Sequence, residues 1–184
     1  MKEVEINKSM KLSEHFTLGE LCKTSYHPLD GNIPSHVAIE NLRNICENWL
    51  EDLRYTYNRL YGDKDLDIPV VITSGYRSEE VNRLCGGAKG SNHLTGCAVD
   101  IRCAGPEQLI RYSSILLDIA DGTRRDLTSS RVCSRSAESM QAPLCTRSTA
   151  DFDELIHEKR GTTWWLHFAV RPEDNRRKIL FDMR

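Results

Sequence analysis

The chain has 184 residues, of which 39% are hydrophobic and 28% are charged, a composition typical of one ordinary globular domain. Its 25 basic and 27 acidic residues give a formal net charge of −2, so no excess positive charge favours nucleic acid or anionic lipid. The longest apolar runs, such as residues 70–72, fall far short of the roughly 20 residues that cross a bilayer. We therefore expect no nucleic-acid partner and no membrane segment.

Two features bear on the compartment. Residues 1–8 contain charges of both signs and no apolar core, so they do not resemble a secretory signal. We expect synthesis in the cytoplasm, and any action outside the cell would follow release by another agent. The cysteines are odd in number and show no Cys-x-x-Cys spacing, which favours free thiols over a disulfide framework; they stand at positions 22, 46, 85, 97, 103, 133 and 145.

The first half of the chain predicts three helices and one strand. Thr17 and Glu20 have the spacing of a capping box, which predicts a short helix there. Residues 69–73, Pro-Val-Val-Ile-Thr, predict a short buried strand, and Ser78 is expected to cap a short helix after it. The longest helix is predicted from apolar residues at three- and four-residue spacing, namely Ile39, Leu42, Ile45, Cys46, Trp49, Leu50 and Leu53.

The second half predicts strands around one further helix. Residues 98–102 are typical of a strand, and Pro106 occupies the tolerated first position of a helix that ends near Gly122. Residues 152–158 and 164–170 are rich in strand-forming residues. The last residues predict only a closing terminal element.

Residues 124–150 have the composition of a solvated loop, because Ser and Thr supply 9 of these 27 residues and apolar periodicity is absent. A compact domain seldom contains so long a connection without secondary structure. We interpret the segment as a flexible insertion in a single domain that spans residues 1–184.

A metal site is predicted from three separated residues. His93 ends a loop, and Asp100 follows seven residues later on the predicted strand, with Gly96 allowing a tight turn between them. A catalytic zinc keeps three protein ligands and an open fourth position, and His167, in an otherwise apolar strand, is the best third candidate. The alternative is a hydrogen-bonded core histidine and a buried acid satisfied by other partners.

These motifs resemble a known family. Residues 91–100, Ser-Asn-His-Leu-Thr-Gly-Cys-Ala-Val-Asp, together with the later Trp165-x-His167, are similar to the zinc D-alanyl-D-alanine carboxypeptidases and related peptidoglycan endopeptidases. That group includes VanY-like enzymes, phage endolysins and the hedgehog fold. Residues 72–78 match the family's Thr-Ser-Gly-Tyr-Arg segment. The resemblance runs from about Phe16 to Val170, interrupted by the Ser- and Thr-rich segment.

The resemblance implies a fold, a cofactor and a substrate. The fold would be a single α+β domain in which a small antiparallel sheet holds the zinc site between flanking helices. His93, Asp100 and His167 would bind Zn²⁺, and Arg77 would be the catalytic cation that engages a substrate or transition-state oxygen. The substrate would be the peptidoglycan stem peptide, cut at the cell wall by metal-activated water. Ser74, Tyr76, Ser91 and Trp165 are expected to contact it.

The general base is expected to be Glu158. Some family members have an acid three residues before the last histidine, but Trp164 occupies that position here. Residues 152–158 resemble a strand of other members, whose final glutamate faces the metal water. Glu154 is the second candidate, since residues four apart share a face of a strand. Either glutamate could instead be an exposed strand carboxylate.

Three functions stay open at this point. The leading hypothesis is a D,D-carboxypeptidase or an endolysin-type endopeptidase, distinguished by whether Arg77 binds a terminal carboxylate or an oxyanion. The missing acid at Trp164 also fits a zinc-containing binding domain of the same fold without hydrolytic activity. An unrelated amidase with the same metal ligands is the third.

Overall fold

The computed structural model describes residues 7–63, 67–122 and 151–183. The predicted insertion at residues 124–150 lies outside these ranges, together with Cys133 and Cys145. Among the described helices, none has both the length and the apolar character that a membrane span requires. The cysteines within the described ranges are free thiols.

The described residues form five α-helices: α1 (Leu18–Leu21), α2 (His36–Ile45), α3 (Glu51–Tyr61), α4 (Glu79–Leu84) and α5 (Pro106–Ala120). The predicted caps are confirmed, because the Thr17 and Ser78 hydroxyls accept hydrogen bonds from backbone N–H groups in the first turns of α1 and α4. Pro106 is the first residue of α5, as predicted.

The long predicted helix contains a π turn at Cys46–Leu50, which joins α2 to α3. Residues three and four apart lie on one face of a helix, and the buried side chains of this turn follow that spacing. The apolar pattern therefore predicts the helix and its buried face but does not reveal the wider turn.

Five strands form one sheet in the order β1-β2-β4-β3-β5; they are β1 (Ile72–Ser74), β2 (Ala98–Cys103), β3 (Glu154–Arg160), β4 (Thr163–Ala169) and β5 (Lys178–Met183). The predicted α+β fold is confirmed. The sheet is antiparallel from β1 through β3, but β5 runs parallel to β3. Both edges of β4 are already paired, so the chain passes β3 and adds β5 at the outer edge.

The strand predicted at residues 69–73 is shorter and less buried than expected. It begins at Ile72 and forms an edge of the sheet, and the Val71 side chain is exposed. An edge strand is paired on one side only, so an apolar run there need not be covered on both faces.

The helices cover one face of the sheet. The Trp49 and Phe168 rings lie 5.1 Å apart between centroids, and Leu155 and Leu166 are completely buried in the same core. Alternation along each strand sends the intervening side chains to the opposite face. The strand residues predicted for the site, Asp100, Glu154, Glu158, Trp165 and His167, lie on that second face.

Candidate metal centre

Two adjacent strands and a short helix bring the predicted ligands together. Asp100 on β2 and His167 on β4 are direct cross-strand partners, so their side chains leave the same face of the sheet. His93 belongs to a 3-10 helix, Asn92–Thr95, that ends at Gly96 with a φ of 71°. A Cβ at Gly96 would lie 2.3 Å from the Ala38 carbonyl oxygen, so this turn requires glycine.

The three side chains present one donor atom each to a common point. His93 Nε2 lies 3.2 Å from Asp100 Oδ1 and 3.2 Å from His167 Nδ1, and the last two atoms are 3.0 Å apart. Two ligands about 2.0–2.1 Å from a tetrahedral zinc are roughly 3.3 Å from each other. The triangle therefore fits three corners of such a site, and all three residues are buried.

Further contacts fix two of these ligands. His93 Nδ1 lies 2.6 Å from the Gly75 carbonyl oxygen, so Nδ1–H donates there and Nε2 keeps its lone pair for a metal. Arg77 Nη2 donates to Asp100 Oδ2, which leaves Oδ1 toward the two imidazoles. Arg77 itself is held by a 2.8 Å hydrogen bond from Nε to Ser74 Oγ.

The electrostatics keep Asp100 ionised and His93 neutral but favour the protonated form of His167. Burial alone raises the pKa of Asp100, but the adjacent His93 and His167 outweigh it and hold that pKa well below its usual range. Burial lowers the pKa of His93 and favours its neutral form. Burial has the same effect on His167, but its contacts with Asp100 and Glu154 raise its pKa to about 9.

A cavity of about 700 Å³ opens over this centre. Its wall contains the three ligands and Arg77, and also Ser91 and Trp165, for which substrate contacts are predicted. Ser74 and Tyr76 are absent from the wall: Ser74 accepts the hydrogen bond from Arg77, and Tyr76 packs against the hydrophobic core. The substrate contacts of all four residues stay predictions, and of the four only Ser91 and Trp165 lie on the cavity wall.

The two candidate bases, Glu154 and Glu158, occupy the cavity face of β3 but differ in their surroundings. Contact with His167 lowers the pKa of Glu154 to about 2, and the shortest Glu154–His167 ion-pair distance is 3.7 Å. Burial and then the charge of Asp100 raise the pKa of Glu158. Glu158 therefore has the more basic carboxylate, as a proton acceptor requires.

The sequence did not indicate a polar cluster beside these strands. Asp153, within the strand predicted at residues 152–158, is fully buried and receives two 2.7 Å hydrogen bonds from the Arg176 guanidinium. Asn92 Nδ2 donates to both Asp153 and Glu154. Tyr26, from a turn-rich segment, also lines the cavity. The sequence signal for this cluster is the adjacent pair of acids, Asp153 and Glu154, at the start of the strand.

Comparison with known proteins gives one family match. A family model described as peptidase M15 matches residues 14–116, more than half of the chain. The matched range includes His93, Asp100 and Arg77, whereas His167 and Glu158 lie beyond it. No curated protein is similar enough to count as a match.

Proposed function

Because this chain belongs to the peptidase M15 family, we propose that it is a zinc metallopeptidase that hydrolyses peptide bonds of the peptidoglycan stem. The observation that carries the proposal is the triangle of His93 Nε2, Asp100 Oδ1 and His167 Nδ1, with edges of 3.0–3.2 Å beneath an open cavity. A structural histidine pair would not need three convergent donor atoms facing a space large enough for a peptide.

Zinc held by these three ligands beside a cavity would keep a further position for water, the pattern of catalytic rather than structural zinc sites. Zinc bound there supplies Lewis acidity and lowers the pKa of a water from 15.7 to about 7. His93 and Asp100 serve this chemistry through the Gly75 carbonyl and the Arg77 guanidinium, which hold their donor atoms toward the metal.

Glu158 is proposed as the general base. Its carboxylate takes a proton from the attacking water and returns it to the departing amine, a contribution of roughly a hundred- to ten-thousand-fold. Its position on the cavity wall and its raised pKa support this role.

Arg77 is proposed to bind a substrate oxygen while it supports Asp100. Among the described residues its side-chain donors contact Ser74, Cys85 and Asp100. A guanidinium has five N–H groups, so two are left for a carbonyl oxygen or a terminal carboxylate at the cavity wall. Carboxypeptidase action requires the terminal carboxylate, and endopeptidase action requires the carbonyl oxygen.

The test is hydrolysis of isolated peptidoglycan by the zinc-loaded full chain. Mass spectrometry of the soluble products distinguishes free D-alanine, expected of a carboxypeptidase, from new amino termini inside the stem, expected of an endopeptidase. E158Q should lower the rate at least a hundredfold and retain zinc. E107Q, which changes an exposed glutamate paired with Arg111 on α5, should leave the rate unchanged.

Each alternative has its own outcome. Stoichiometric zinc without any product would indicate the non-hydrolytic binding domain. Cleavage between the sugar and the first amino acid would indicate an amidase. Unchanged hydrolysis by E158Q would show that Glu158 is not the general base and would favour another carboxylate on the cavity wall in that role.

A further inference from the structure

The imidazole of His167 has different neighbours at its two nitrogens. Nδ1 faces Asp100 and His93, at 3.0 and 3.2 Å. Nε2 faces Glu154 Oε2 at 3.7 Å, an ion-pair contact rather than a hydrogen bond. A half-turn of the ring would take both nitrogens away from these partners. A carboxylate opposite Nε2 therefore favours the ring orientation in which Nδ1 points to the metal position.

We propose that Glu154 is a positioning residue that orients His167 for metal binding, and that Arg176 holds Glu154 in place. This inference rests on the metal site of the proposed function. Glu154 touches neither the open metal position nor a reacting atom in this scheme, because it acts on the far nitrogen of a ligand.

The surroundings of Glu154 require a carboxylate. Oε1 contacts Arg176 Nη2 at 3.0 Å and Lys178 Nζ at 3.4 Å. Oε2 contacts Asn92 Nδ2 at 3.1 Å and faces the His167 nitrogen. All four partners are hydrogen-bond donors or cations, so the side chain at this position needs an acceptor at both Oε1 and Oε2. A glutamine side chain has only one acceptor oxygen, and its NH2 group would face a donor in either orientation of the amide.

Arg176 links Glu154 to the buried part of the sheet. Its guanidinium forms a two-point contact with the fully buried Asp153 and reaches Glu154 with the same Nη2 atom. A bidentate arginine–carboxylate pair is rigid in direction. The segment between β4 and β5, which sequence patterns left without a role, thus supports a ligand on β4.

The neighbouring arginine provides a matched control. Arg177 has similar exposure to Arg176, but its partners are Asp121 and Asp151 rather than Glu154. Loss of Arg177 removes one positive charge from the same segment without touching the Glu154 contacts. Any effect specific to Arg176 is therefore separate from a general change in charge.

The test measures zinc affinity of the full chain by competition with a chromophoric chelator, and the visible absorption of the cobalt-substituted protein as a report on ligand geometry. Loss of an outer-shell partner of a metal ligand typically weakens metal binding roughly 10- to 100-fold. We expect a weakening of about that size for E154Q, with an altered cobalt spectrum. E107Q and R177Q should match the wild type in both readouts.

R176Q should weaken zinc binding in the same direction as E154Q. If R176Q does not fold, because the buried Asp153 has lost its cation, R176K keeps the charge without the guanidinium fork and should show the same weakening. Wild-type zinc affinity and an unchanged cobalt spectrum in folded E154Q would overturn the inference while leaving the proposed function intact. A wild-type chain that binds no zinc would instead refute the proposed metal site.

Discussion

Replacement of Asp153 by asparagine tests the buried cluster that holds the start of β3. The Asp153 side chain is fully buried, and both its oxygens receive hydrogen bonds from Arg176. Burial opposes its ionisation, but the bonds from Arg176 and Asn92 lower its pKa from 3.8 to about 2. At 1.36 kcal/mol per pKa unit, ionised Asp153 contributes about 2 kcal/mol to the free energy of unfolding at neutral pH.

The sign of the pH dependence follows from the lowered pKa. The folded state holds the ionised form more strongly than the unfolded state, so the contribution is complete above about pH 5 and is lost as pH falls toward 2. D153N should therefore be less stable than the wild type by about 2 kcal/mol or more at pH 7. The difference in free energy of unfolding between the wild type and D153N should shrink by about 2 kcal/mol between pH 7 and pH 2.

Urea unfolding followed by tryptophan fluorescence measures both quantities. D121N is the control, because Asp121 pairs with Arg177 at the surface, where such pairs contribute at most about 1 kcal/mol. If the wild type and D153N had equal free energies of unfolding at pH 7, or if their difference stayed constant down to pH 2, ionised Asp153 would not stabilise the fold as proposed. A D121N loss as large as that of D153N would show that burial is not the cause.

Three further predictions concern the turn, the core and the metal. G96A should lower the free energy of unfolding by about 1–3 kcal/mol in urea titrations, since Gly96 has a positive φ and no space for a Cβ. S113A should lower the free energy of unfolding by about 1–3 kcal/mol, because Ser113 Oγ is 2.7 Å from Nε2 of the buried His157. An unchanged melting temperature of S113A would contradict this prediction. Zinc at a hundred times its Kd should raise the free energy of unfolding of the wild type by about 2.7 kcal/mol. It should leave the free energy of unfolding of H93A unchanged.

The fold could be predicted from the sequence where local signals and burial agree. The caps at Thr17 and Ser78 and the first turn at Pro106 depend on residues within one helical turn, so the chain itself specifies them. The prediction for residues 69–73 starts the strand too early and buries it too deeply, because edge position depends on the pairing of distant strands. The parallel addition of β5 depends on the same long-range pairing and has no local signal.

The site divides in a similar way. His93 and Asp100 stand close together in sequence around a required glycine, so their spacing alone suggested a shared metal. The surroundings of Glu154 could not be foreseen, because Asn92 and Arg176 lie 62 and 22 residues from it and meet it only through the sheet. Nor did the sequence show that Ser74 supports Arg77 rather than lining the cavity.

The proposed function depends on one catalytic zinc held by His93, Asp100 and His167. The most direct measurement is the zinc content of the purified full chain by mass spectrometry, with H93A prepared in parallel and checked for folding by circular dichroism. We expect about one zinc per wild-type chain, the number that a single three-ligand site binds, and a large loss of zinc in folded H93A. A folded wild-type chain without zinc, or H93A with undiminished zinc, would contradict the assignment.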